Sequence, residues 1–111
     1  DTVRESDGLA LSSRNVRLTD EARAQAPAIR RAMLLAQQSL VSGINDSELL
    51  IEAIKRHLSA DAPLAEIDYL ECVCASSLQP QAKVTHKSLI AIAASFGDVR
   101  LIDNIELVPT N

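Results

Sequence analysis

Arg4, Asp7, Ser12, Ser13, Arg14 and Asn15 crowd into one dodecamer near the amino end, Arg4-Glu5-Ser6-Asp7-Gly8-Leu9-Ala10-Leu11-Ser12-Ser13-Arg14-Asn15. The chemistry that Ser12, Ser13 and Arg14 offer is oxyanion binding. The hydroxyls of Ser12 and Ser13 can donate O–H, exposed backbone N–H groups can join them, and the Arg14 guanidinium can hold two oxygens in a fork. Gly8 lets the backbone enter at angles a side chain would forbid. Leu9 and Leu11 are the bulky apolar side chains between Gly8 and Asn15, so no buried helix or strand is expected from this stretch. A Ser-Ser-Arg triplet by itself also describes a solvated turn.

The elements that would carry this loop follow from periodicity and turn chemistry. Thr19 before Asp20 and Glu21 is a capping residue followed by acids, which favours a helix start. Ala22, Ala26, Ile29, Met33, Ala36 and Leu40 fall on one helical stripe. Arg23, Gln25, Arg30, Arg31 and Gln37 populate its other faces. Pro27 inside the pattern removes an intrahelical bond and presses on the carbonyl of Arg23, which implies a kink or a short first turn followed by a new helix start. Gly43 is the expected left-handed cap. Asn45, with Glu48 three residues on, opens a second helix in a capping-box-like arrangement. Leu50, Ile51, Ala53, Ile54 and Leu58 form its buried face, Lys55, Arg56 and His57 suit the negative end of its dipole, and Pro63 confines it.

From Glu66 to Cys74 the chain turns β-branched and alternating, a strand by pattern, and Ser76 to Thr85 reads as a connection. Leu89 to Phe96 and Val99 to Val108 form a hairpin around Gly97-Asp98. The expected fold is α+β: two helices packed on a three-stranded antiparallel sheet, preceded by the polar loop, which the resemblance described next implies to be a nucleotide-phosphate loop.

The dodecamer and its continuation to Leu18 resemble the signature of the pantothenate synthetase (pantoate–β-alanine ligase) family, whose Met/Leu-Ser-Ser-Arg-Asn segment corresponds to the KMSKS loop of class I adenylating enzymes. Gly97-Asp98-Val99-Arg100-Leu101-Ile102-Asp103-Asn104 is similar to a run near that family's carboxyl end. The resemblance spans essentially the whole chain but less than half of a full family member. It implies residues 1–18 as a KMSKS-like ATP-phosphate loop and interdomain segment, and residues 19–111 as the carboxyl-terminal α+β domain. The family's amino-terminal Rossmann-like domain, with its His-x-Gly-His motif and pantoate pocket, has no counterpart here, since His57 and His86 are isolated. Opening on Asp1, the chain reads as an excised carboxyl-terminal domain.

The activity so implied is a two-step ligation: ATP and pantoate form pantoyl adenylate, and β-alanine then displaces AMP. Leu11, Ser12, Ser13 and Arg14 would line the ATP site, with Arg14 as the catalytic cation and Mg²⁺ on the phosphates. The fragment alone is expected to be inactive. Asp7 and Asn15 read as loop-shaping residues rather than catalysts. Arg100, Asp103 and Asn104 read as internal pairing or turn residues. The alternative is a non-catalytic interdomain or dimerisation module, all chemistry residing in the absent amino-terminal domain, and a homodimer is left open.

Composition narrows the partners. A single core is feasible in 111 residues, and aliphatic side chains must build it because Tyr69 and Phe96 are the only aromatics. A net charge of −4 with so few aromatics argues against nucleic acid. The longest apolar run, around Leu89 to Ala94, is far short of the roughly 20 residues a membrane helix needs, and nothing in these residues resembles a charged-then-apolar signal peptide. A soluble, cytoplasmic setting is expected. Cys72 and Cys74 lie too far apart along a strand for an ordinary disulfide and lack partners for zinc, so both are expected as buried, reduced thiols.

Overall fold

Pro27 decides how the helical layer begins. The computed structural model describes residues 3–109, so Asp1, Thr2, Thr110 and Asn111, the outermost residues of the expected 1–18 and 19–111 segments, lie outside the described residues. Thr19 caps α1 (Asp20–Gln25), its hydroxyl accepting from the Ala22 N–H at 3.1 Å. The helix stops at Gln25, and α2 (Ala28–Val41) restarts directly after Pro27, the second of the two outcomes that the missing N–H allows. Gly43, at φ +109°, then reverses the chain beyond α2.

The start of α3 (Ser47–Asp61) corrects the sequence reading by one residue. Asp46, not Asn45, is the cap, its carboxylate accepting from the Leu49 N–H at 3.2 Å. Asn45 is taken by a different partner: its carbonyl accepts from the Val84 N–H at 2.7 Å, which ties the helix entrance to the connection between the first two strands. The helix runs on to Asp61, so Lys55, Arg56 and His57 stand short of its last turn and do not complement the dipole there.

The sheet is antiparallel, with β2 (Ser88–Phe96) between β1 (Glu66–Cys74) and β3 (Val99–Leu107). Gly97 supplies the positive φ of the β2–β3 turn, at +64°. Strand β3 alternates without a fault: Val99, Leu101, Asp103, Ile105 and Leu107 face inward, and Arg100, Ile102, Asn104 and Glu106 face out. Strand β1 carries a bulge between Ile67 and Tyr69, which leaves Asp68 without a partner in the ladder.

Helices cover one face of this sheet, α2 over β3 and α3 over β1. The expected stripe of Ala22, Ala26, Ile29, Met33, Ala36 and Leu40 is buried throughout, and Leu50, Ile54 and Leu58 meet it from α3, with Ile51 and Ala53 at the margin. Met33, Ile90, Ile92 and Leu107 lie at its centre, each fully enclosed. Burial of a side chain of this size contributes about 1.5–3 kcal/mol. The α+β layout expected from the sequence, two helices on a three-stranded antiparallel sheet, is therefore the fold, with the first helix divided into α1 and α2 at Pro27. Cys72 is buried as expected, but Cys74, the last residue of β1, is partly exposed.

Candidate functional site

The stretch before α1 has structure of its own, contrary to expectation. Arg4 and Ala10 pair as an isolated antiparallel bridge, and the Leu11 N–H donates to the Val3 carbonyl at 2.8 Å. Gly8 turns the chain at φ +94°, where a side chain would also press within 3.3 Å of the Arg30 stem. Leu9 drops into the core at 3% exposure. Residues Ser13–Arg17 then wind into a 3-10 helix, with Ser12 as its cap accepting from the Arg14 N–H at 3.2 Å.

Polar side chains fasten this loop to the domain. Arg4 donates to both carboxylate oxygens of Asp103, at 2.7 and 2.9 Å, and to the Gly8 carbonyl at 3.0 Å. Arg23 of α1 reaches Asp7 at 2.8 Å and Glu5 at 3.3 Å. The hydrogen bonds from Arg23, reinforced by the Leu9 N–H, hold the Asp7 carboxyl below its ordinary range. Asn15 is buried and donates to Glu5 at 2.7 Å and to the Ala10 carbonyl at 3.1 Å. Asp7, Asn15 and Asp103 thus have the loop-shaping and pairing contacts expected of them. Asn104 donates its backbone N–H to the Asp103 carboxylate at 2.8 Å.

With the framework so fastened, the remaining groups face a cleft of about 150 Å³ along the free edge of β3. Ala10, Leu11, Ser12 and Arg14 line one side, and Arg100, Leu101 and Ile102 the other. Ser13 begins the 3-10 helix and is exposed outside this lining. The guanidiniums of Arg4, Arg17 and Arg23 each meet a carboxylate, whereas Arg14 meets none among the described residues. A cation left without a counter-ion at the mouth of a cleft, beside a hydroxyl, is suited to an anionic ligand. A second hollow, of about 210 Å³ between Arg17 and Phe96, offers no such group, because Arg17 is held by Asp98 at 2.9 Å.

Two partners escaped the sequence reading. Arg4 carried no distinguishing signal, since its carboxylate lies at the far end of the chain, and Arg23 resembled any solvated helix residue. The bulge that presents Asp68 also leaves no mark in a strand pattern. Among the described residues no cluster of three or more His, Cys, Asp or Glu side chains could hold a metal ion.

The molecule is thus a small α+β domain with a loop fastened beside the edge of its sheet, on which Arg14 meets no carboxylate among the described residues. A family model described as Pantoate-beta-alanine ligase matches residues 1–106, and the chain belongs to that family. It is 51% identical over 106 residues to pantothenate synthetase of Desulfovibrio desulfuricans, covering 96% of this chain and 38% of the relative. A bifunctional pantoate ligase/cytidylate kinase of Synechococcus elongatus is 47% identical over 106 residues, covering 96% of this chain and 20% of that protein. The crystal structure of pantothenate synthetase from Thermus thermophilus superposes with a TM-score of 0.88 at 39% identity, over 97% of this chain and 38% of that one. The chain therefore spans well under half the length of these relatives.

Proposed function

We propose that this chain acts as the carboxyl-terminal, lid-type domain of an ATP-dependent ligase that joins pantoate to β-alanine. In this reading residues 1–18 are the ATP-phosphate loop and residues 19–111 the supporting domain, and an amino-terminal Rossmann-like domain supplies the pantoate pocket. A pantoate carboxylate oxygen attacks the α-phosphorus of ATP, and the bond to the bridging oxygen breaks to release pyrophosphate. The β-alanine amine then attacks the carbonyl of pantoyl adenylate, and loss of AMP and a proton leaves pantothenate. The setting of such a biosynthetic step is the cytoplasm, and no helix among the described residues is long and apolar enough to cross a membrane.

The observation that carries this reading is Arg14 beside Ser12 at the cleft, its guanidinium meeting no carboxylate among the described residues. Its guanidinium meets the charge that develops on the departing pyrophosphate, while Ser12 contributes a hydroxyl donor from the cleft wall, Ser13 a second from the exposed start of the 3-10 helix outside it, and Leu11 flanks the nucleotide. Mg²⁺, carried in with the nucleotide, would neutralise charge on its phosphates beside Arg14. The pinned loop supports the same role, since groups already held in place need less ordering when ligand arrives.

Rapid-quench measurement of pantoyl-adenylate formation tests the reading in a full-length enzyme that carries this chain. Arg14→Ala is expected to slow that step about a hundredfold or more. A rate within about threefold of wild type, under 1 kcal/mol, would remove Arg14 from the chemistry. The chain alone is expected to be inactive and to bind ATP weakly, and micromolar affinity by calorimetry would contradict that.

A second reading, an interdomain or dimerisation module without catalytic residues, draws support from the exposed Val3, Leu11 and Val16 around the loop, at 66, 59 and 88%. Under that reading Ser12, Ser13 and Arg14 are all replaceable without loss of adenylation.

A further inference from the structure

The 3-10 helix Ser13–Arg17 has about three residues to the turn, so side chains three positions apart share a face. Ser13 and Val16 share the solvent face, and both are exposed. Arg14 and Arg17 lie towards β3 and its turn, the first lining the cleft and the second bonded to Asp98. Asn15 turns inward and is buried, and Leu18, the residue that follows the helix, packs against the core on the same side. Rotation of so short a helix about its axis would carry Arg14 out of the cleft. The Arg17–Asp98 pair opposes this weakly, because both side chains are more than half exposed. The inward face must therefore set the rotation.

We propose that Asn15 is a positioning residue for the adenylation step, acting through Arg14 by fixing the rotation of this helix. Its Nδ2 donates to the Glu5 carboxylate at 2.7 Å and to the Ala10 carbonyl at 3.1 Å, acceptors that stand on either side of the Gly8 turn. Its Oδ1 is buried and has no hydrogen-bond partner among the described residues, so the amide is held through its N–H groups alone. The reverse orientation would set that oxygen against two acceptors, which leaves one allowed direction for the side chain. Glu5 is gripped in turn by Arg23 of α1 at 3.3 Å. A chain of polar contacts thus runs from α1 through Glu5 to the residue beside Arg14. An apolar side chain at position 15 would fill the same space without fixing a direction. Without Asn15, the Ser12 cap and Leu18 still hold the helix, but its rotation is free to drift, and a displacement of about 1 Å at a charge-stabilising group is enough to slow a reaction severely.

This assignment rests on the ligase reading, and a double-mutant cycle with Arg14 separates the two. In a full-length enzyme carrying this chain, Asn15→Ala is expected to slow pantoyl-adenylate formation about tenfold by rapid quench, with the KM for pantoate unchanged. In an Arg14→Ala background the same change should alter the rate by less than about twofold, because no guanidinium is left to aim. A role confined to folding would slow both backgrounds alike. Asn15→Asp keeps the shape but sets a carboxylate against Glu5, and should be at least as slow as Asn15→Ala; adding Glu5→Gln supplies a donor again and should recover part of the rate. An Asn15→Ala rate within about twofold of wild type, or an equal loss with and without Arg14, overturns the role of Asn15. With adenylation slowed in Arg14→Ala, either result leaves the ligase reading standing. An Arg14→Ala rate within about threefold of wild type, or no adenylation by the unmodified enzyme, overturns both. Should Asn15→Ala fail to fold, Glu5→Ala, at a partly exposed position, decides: a severalfold loss that vanishes without Arg14 upholds the role, and any other result refutes it.

Discussion

Arg4 and Asp103 stand 99 residues apart in sequence and meet in a two-pronged ion pair, with the Asp103 side chain only 6% exposed. Asp103 is an inward position of β3, where the alternation of the strand would otherwise call for an apolar residue. Arg4 satisfies it, and through the Gly8 carbonyl it also fixes the turn that leads to Ser12 and Arg14. One contact thus joins the last strand to the first loop and orients the candidate phosphate-binding residues.

Asp103→Asn should destabilise the chain by about 2–3 kcal/mol, because the Arg4 charge stays partly buried without its partner. Replacing both, Arg4→Met with Asp103→Leu, should lie nearer wild type than the single change does. Urea unfolding checks both, and a single-variant loss under about 0.5 kcal/mol would show the pair to be incidental.

Leu9→Ala should cost about 2–4 kcal/mol, the range for a large aliphatic side chain removed from a packed site. Since Leu9 is the apolar anchor of the loop, exchange at the Glu5 and Leu11 amides, both bonded across the small bridge, should accelerate more than at Ile90. Equal acceleration everywhere would mean that the loop has no separate anchor.

Acid should weaken the Arg23–Asp7 contact in a defined window. The folded-state pKa of Asp7 lies below its ordinary value, so the pair's contribution is fully present above about pH 4 and disappears as pH falls through that lowered pKa. Asp7→Asn should therefore be less stable than wild type at pH 7, by about 0.2–1 kcal/mol for so exposed a pair, and the gap should close towards pH 2. Paired unfolding curves at the two pH values measure it, and a gap that widens in acid would reverse the assigned sign.

The two thiols should alkylate at very different rates. Hydrogen bonding from Ser76 and Ser77 lowers the Cys74 pKa to about 6, while burial pushes the Cys72 thiol up. Iodoacetamide at pH 7, read by peptide mass, should label Cys74 first, with a rate that levels off above about pH 7 as its thiolate saturates. Labelling of Cys72 at a matching rate would mean that β1 opens as a unit.

What the sequence determined by itself is what a short window encodes. The break at Pro27, the Thr19 cap, the turn at Gly97 and the alternation of β3 are each set by residues within a few positions of one another, and all four stand in the structure. Tertiary structure decided the rest. The partner of Arg4 lies at the other end of the chain, and the Asn45 carbonyl was claimed by Val84 from a connection that no local pattern describes, which moved the cap to Asp46. Leu9 looked like part of a polar loop until the sheet and helices supplied a core for it to enter. The bulge at Asp68 depends on how β1 settles against β2, because an unpaired residue in a ladder is a property of two strands and is written in neither alone.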